Sequence, residues 1–125
     1  MDSIYYKVND TVLCNGLPVT IDNISGDFYY VSSGESVKKD KLSDIPLTKD
    51  ILDRSNVVFS QIGQELMAVF GNRKLYINIQ NGECRITDSL DSSKDSTLTD
   101  IFSFHQLQNI IYEQIHSKLI LNLNQ

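Results

Sequence analysis

The sequence predicts an α+β fold: a small SH3-like curved β module, then an antiparallel β meander packed by a C-terminal α-helix. Three observations carry this. Asn15-Gly16 and Asn81-Gly82 each separate two β-rich runs, the strongest short-range hairpin signal. Residues 57–88 alternate apolar and polar side chains with the period of half-buried strands. Residues 102–119 form the one long segment with helical period.

In chain order, Ile4 to Leu13 reads as β-rich with a break at Asn9-Asp10. The Asn15-Gly16 turn then joins Thr11–Cys14 to a run from Val19 to Ile24. Val19, Ile21 and, after a one-residue slip, Ile24 share its inner face. Ser25-Gly26-Asp27 turns the chain into Phe28-Tyr29-Tyr30-Val31, a run of high β propensity. A second turn leads to a short strand or turn from Val37 to Leu42. So many short strands in so little chain are expected to curl, because a flat sheet would leave open edges.

Ile45-Pro46-Leu47-Thr48 marks a joint. Pro46 holds Ile45 extended and cannot donate to a ladder. Thr48 is the expected N-cap of a short helix, with Leu47 and Leu52 as a hydrophobic staple. The meander follows as Val57–Phe59, Glu65–Phe70, Lys74–Ile79 and Glu83–Thr87, with Gly63 at a bend. Leu75, Ile77 and Ile79 share one face, and Cys84 and Ile86 continue it. The polar segment from Leu90 to Leu98 reads as a loop. In the terminal helix, Ser103 or Asp100 is the cap. Phe104, Leu107, Ile110, Ile111, Tyr112, Ile115 and Leu119 fall on one arc at 100° per residue. Residues 1–125 are expected to form a single compact unit, with 1–46 as the SH3-like module and 47–125 as the short helix, meander and terminal helix.

With 125 residues and 41% hydrophobic content, the chain can bury a core without disulfide or metal. A net charge of −5 argues against a general nucleic-acid binder. The N-terminus has no basic segment followed by an apolar one, and no apolar run is long enough to cross a membrane, so a cytoplasmic location is expected. Cys14 and Cys84 are expected to be free, buried thiols.

Nucleotide-binding glycine loops, nucleophile elbows and paired metal motifs are all missing from the sequence, so no catalytic residue, metal or cofactor is assigned. His105 and His116 lie on the predicted helix about 16 Å apart, too far to share one metal ion. With Asn109 and Tyr112 they form a stripe along the apolar arc. It is read either as the polar border of the helix or as a contact surface for a partner. Tyr29, among the aromatics of the first module, is a second binding candidate. Lys38, Lys39 and Lys41 form the only basic cluster, and acids interrupt and flank it. Gln108 falls within the buried arc. Its amide is expected to bond backbone groups of the adjoining sheet or of the Ile45–Leu47 joint, a structural role shared with Pro46 and Thr48. Asp40, Asp44, Asp50 and Asp53 crowd the joint as acids suited to a helix start.

The Ile45-Pro46-Leu47-Thr48 joint with Ile51-Leu52, and His105-Gln106-Leu107-Gln108-Asn109 with Ile111-Tyr112, stand in order along most of the chain. This arrangement resembles a family of small uncharacterised proteins common in Bacteroidetes genomes and their phages and mobile elements. The chain departs from that pattern at Ser55-Asn56-Val57, where the family shows a Gly-Phe pair, and in its Asn-rich tail. The resemblance implies the architecture and a phage or mobile-element origin, and no reaction. The leading expectation is therefore a non-enzymatic binding or adaptor protein acting on a protein partner. The alternatives are a nucleic-acid-associated module using the small barrel, and a small enzyme with an unrecognised site.

Overall fold

The computed structural model describes residues 6–122. Ile4 and Tyr5 of the first β-rich run, and the tail from residue 123, lie outside them. The first sheet contains β1 (Thr11–Cys14), β2 (Leu17–Ser25), β3 (Phe28–Val31), β4 (Ser36–Lys38) and β5 (Leu42–Ser43), in the order β4-β3-β2-β1-β5. The second contains β6 (Ser60–Ile62), β7 (Glu65–Phe70), β8 (Arg73–Asn78), β9 (Glu83–Asp88) and β10 (Ser96–Leu98), in the order β10-β9-β8-β7-β6. Among the described residues every ladder is antiparallel and neither sheet closes into a barrel.

Local chemistry sets these elements. Asn15 and Gly16 both take positive φ, 53° and 82°, as the tight hairpin turn between β1 and β2 requires. A register shift between Ile21 and Asn23 brings Ile24 back to the inner face. Lys39–Lys41 form a 3₁₀ turn between β4 and β5. Helix α1 (Lys49–Asp53) is capped by Thr48, whose Oγ1 accepts the Ile51 N–H at 3.1 Å. Leu47 and Leu52 are both buried beside it.

Two cores result. Val12, Cys14, Val19, Ile21, Val31 and Leu42 fill the first sheet. The larger core joins Leu66, Leu75, Ile77, Cys84 and Ile86 of the meander to Phe104, Leu107, Ile110 and Ile111. Both cysteines are free and buried, and burial pushes the Cys84 thiol up to about 12. No helix among the described residues is long and apolar enough to cross a membrane.

Three sequence expectations are corrected. Val57–Phe59 lie outside the ladder, and the edge strand is Ser60–Ile62. Its register runs back from the turn at Gly63, where φ is 61°, so that Ile62 faces Glu65. The Leu90–Leu98 loop contains a strand, β10. The Leu90 and Asp91 N–H groups bond Asp88 Oδ1, while Asp95 Oδ1 accepts the Asp88 N–H. These bonds fold residues 96–98 back beside β9 without any apolar alternation to reveal them.

Third, the terminal helix stops short of Leu119. Helix α2 (Phe104–Ile110) passes into π geometry over Ile111–Ile115 and ends at His116, which is left-handed with φ 63°. The Ser117 N–H reaches back to the Ile111 carbonyl, and the Arg73 guanidinium donates to the Gln114 carbonyl. Leu119 is buried by the returning tail, which is fastened to residues 54–56 by Asn56 N–H to Ile120 O and Asn122 N–H to Arg54 O.

Candidate functional site

Helix α2 is the common wall of both halves, and its first turn is built by the joint. Pro46 bridges Ser103, the Phe104 N–H donates to the Ile45 carbonyl, and the Leu47 N–H donates to the Phe102 carbonyl. Gln106 Oε1 reaches back to the N–H groups of Phe102 and Ser103, satisfying donors that the helix leaves unpaired. This start fixes which side chains of α2 face the first sheet.

Three of them do. Gln108 Oε1 accepts the Thr11 N–H at 2.8 Å, and its Nε2 donates to Thr11 Oγ1 and to the Leu119 carbonyl. The amide thus ties β1, the helix and the returning tail together; the Ile45–Leu47 joint takes no part. His105 packs edge-on against Tyr6 at 5.0 Å. Its Nδ1 lies 3.1 Å from Ser103 Oγ and 3.8 Å from Asp44 Oδ1, while the Tyr6 hydroxyl donates to Asp44 at 2.7 Å. Asn109 lies near enough to Asp10 to favour its ionised form.

Asp10 is the residue that sequence reasoning missed. Read only as part of a strand break, it is 1% exposed. Its Oδ2 accepts the Lys7 N–H at 2.8 Å, and its own N–H donates to the Lys7 carbonyl, closing a tight turn. Burial pushes its carboxyl above the ordinary range, opposed by the Lys7 amide, His105, Asn109 and the Lys7 ammonium. Burial pushes His105 below its ordinary value, opposed by Asp10 and Asp44. No local pattern couples residues so far apart, so a single sequence carried no signal for the pair.

Ser103, His105 and Asp44 do not form a nucleophile relay. Such a relay places the hydroxyl and the carboxylate on opposite ring nitrogens, with the hydroxyl open to substrate. Here both approach Nδ1, and Ser103 is buried. The cluster can lock the two halves, and it makes the lock sensitive to protonation. A histidine whose folded pKa lies below its unfolded 6.5 binds fewer protons when folded. Its contribution is therefore complete above that value and is lost as pH falls through 6.5 toward the folded pKa. Asp10, with a raised pKa, has the opposite sign: it costs stability as pH rises from 3.8 through its folded value. Thermal melts between about pH 7 and pH 5 should fall more steeply for the native chain than for His105→Gln. Parallel profiles would discard this assignment.

Above the Asp10–Asn109 contact lies a cleft of about 430 Å³ between the first sheet, the π turn and the tail. Its wall includes Lys7, Asp10, Gln108, Asn109, Tyr112 and Glu113. Lys7 Nζ meets Glu113 Oε2 at 3.0 Å across it. Tyr112 is 60% exposed, and Val8 and Ile120 are exposed beside it. Tyr112, placed on the apolar arc by periodicity, stands exposed here at the start of the π turn.

The predicted histidine stripe does not form. His105 is buried, Asn109 and Tyr112 line this cleft, and His116, past the helix end, lines a different one with Arg73 and Asp88. At that second cleft Asp88 accepts bonds from Leu90, Asp91, Asn72 and Arg73, which hold its carboxyl below the usual range. Tyr29 is half-buried, edge-on to Tyr6 at 6.3 Å; strand parity turns Phe28 and Tyr30 outward instead. Lys38 ends β4, and Lys39 and Lys41 lie in the 3₁₀ turn, away from the cleft. Asp44 serves the Tyr6–His105 cluster rather than the start of α1, where Asp50 stands. Among the described residues no group of three or more His, Cys, Asp or Glu side chains could hold a metal ion. Comparison of the chain with protein-family models, curated proteins and solved structures gave no match.

Proposed function

We propose that this is a non-enzymatic binding or adaptor protein of phage or mobile-element origin that takes hold of a protein partner through the cleft between the first sheet and the π turn. The observation that carries the reading is the rim. Tyr112, Val8 and Ile120 are large, apolar and exposed around a concave site with charged groups at its mouth. An aromatic anchor beside a preformed hollow is the usual core of a protein-binding patch. In this reading the first sheet is an SH3-like module, supported by its order β4-β3-β2-β1-β5, the 3₁₀ turn before the last strand and the bend in β2. The origin rests on the two sequence motifs at the joint and the helix.

The test is capture from a host extract with the native chain, Tyr112→Ala and Ile120→Asp. Both side chains are exposed, so melting should change little. Partner recovery should drop about tenfold or more in each variant. Recovery equal to that of the native chain would remove the cleft from the reading.

A second reading is favoured by the outer face of the first sheet. Phe28 and Tyr30 stand exposed at alternate positions of β3, and Lys38 lies opposite Phe28. Exposed rings beside a lysine can stack on single-stranded nucleic acid. Here binding would weaken steeply with salt; none at low salt disposes of it.

A further inference from the structure

We propose that the cleft receives a basic side chain of the partner, a lysine or arginine whose head group sits between the Asp10 and Glu113 carboxylates while its stem lies along Tyr112 and Ile120. This rests on the reading of the cleft as the protein-binding site and names the chemistry of what enters it.

Charge placement makes the argument. Of the charged residues that line the cleft, Asp10 is the one that is fully buried, and Glu113 is the other acid. Among the described residues no lysine or arginine forms an ion pair with Asp10; its carboxyl accepts the Lys7 N–H and feels His105, Asn109 and the more distant Lys7 ammonium. Burial disfavours its ionised form, and a cation delivered into the cleft would favour it. The lysines lie at the mouth. Lys118 is exposed there, and Lys7 Nζ already holds Glu113 with side chains 56% and 55% exposed. An ion pair so open to water contributes little, so it exchanges readily. Lys7 thus occupies one of the two carboxylates as an internal stand-in for the incoming cation.

The apolar rim matches such a ligand as well. Lysine and arginine lay apolar stems along apolar surface while keeping the head polar, and the Tyr112 ring offers a face to a cation. A net charge of −5 steers a basic segment toward the chain and repels an acidic one.

The experiment is an amide-resolved NMR titration of the full chain with acetyl-Gly-Arg-Gly-amide, and with counterparts carrying citrulline or aspartate in place of arginine. The arginine peptide should shift amides of residues 7–11 and 108–113, and the neutral and acidic peptides should not. Lys7→Ala should tighten binding about threefold to tenfold by freeing Glu113, and Glu113→Gln should weaken it by a similar factor. Equal shifts from the aspartate peptide, weaker binding by Lys7→Ala, or no localised shifts would overturn the proposal. If the arginine peptide fails while partner capture still depends on Tyr112, the basic side chain is wrong and the cleft reading stands. If capture is also indifferent to Tyr112, both fall.

Discussion

Phe104→Ala is expected to cost about 3–5 kcal/mol of stability, the largest effect of any single truncation in this chain. Phe104 is fully buried at the first turn of α2. It belongs to the core that joins the helix to Leu66, Leu75, Ile77 and Ile86 of the meander and to Leu52 of α1. Truncation removes the transfer free energy of the ring and leaves a cavity that two sheets and a joint cannot close. Denaturant unfolding should show a lower midpoint at unchanged slope, the signature of lost stability with an unchanged denatured state. Val58→Ala, at an exposed position outside the ladder, should stay within about 0.5 kcal/mol of the native chain. A loss below about 1 kcal/mol at Phe104 would mean that the helix is not the packing centre.

The second large effect is at Gln108. Replacement by Leu keeps the volume and removes both polar ends. The Thr11 N–H then loses its acceptor and the Leu119 carbonyl its donor, at two buried residues. Leaving such groups unpaired costs about 1–3 kcal/mol each, so a total of about 2–6 kcal/mol is expected. Hydrogen exchange at the Thr11 amide should accelerate. Unchanged stability together with unchanged exchange at Thr11 would show that the amide does not tie the halves.

Several features of the fold were legible because their causes are local. Asn15-Gly16 dictates a left-handed turn, Thr48 supplies a cap oxygen, and the alternation through Leu75, Ile77, Cys84 and Ile86 fixes an inner face. The slip before Ile24 was likewise visible in its spacing. Strand β10 was not, since Ser96–Leu98 has no pattern of its own and is held by Asp88 and Asp95. The helix end also misled. Periodicity at 100° per residue cannot anticipate a π turn or the left-handed stop at His116, and it did not reveal that Tyr112 stands exposed.

By itself, then, the sequence determined the α+β class, most turns, the meander's inner face and the polar oddity of Gln108, all properties of neighbours within a few residues. The tertiary structure decided the rest. It brought Asp10 to His105 and Asn109, Thr11 to Gln108, and Lys7 to Glu113, so that a cleft opens where the first sheet meets the helix. The physical reason is that burial and pairing across nearly the whole chain depend on how two sheets share one helix. No short stretch encodes that arrangement. The segment at 102–119 remains the centre of the protein, as a wall with two working faces: one dry against the meander, and one polar against the first sheet.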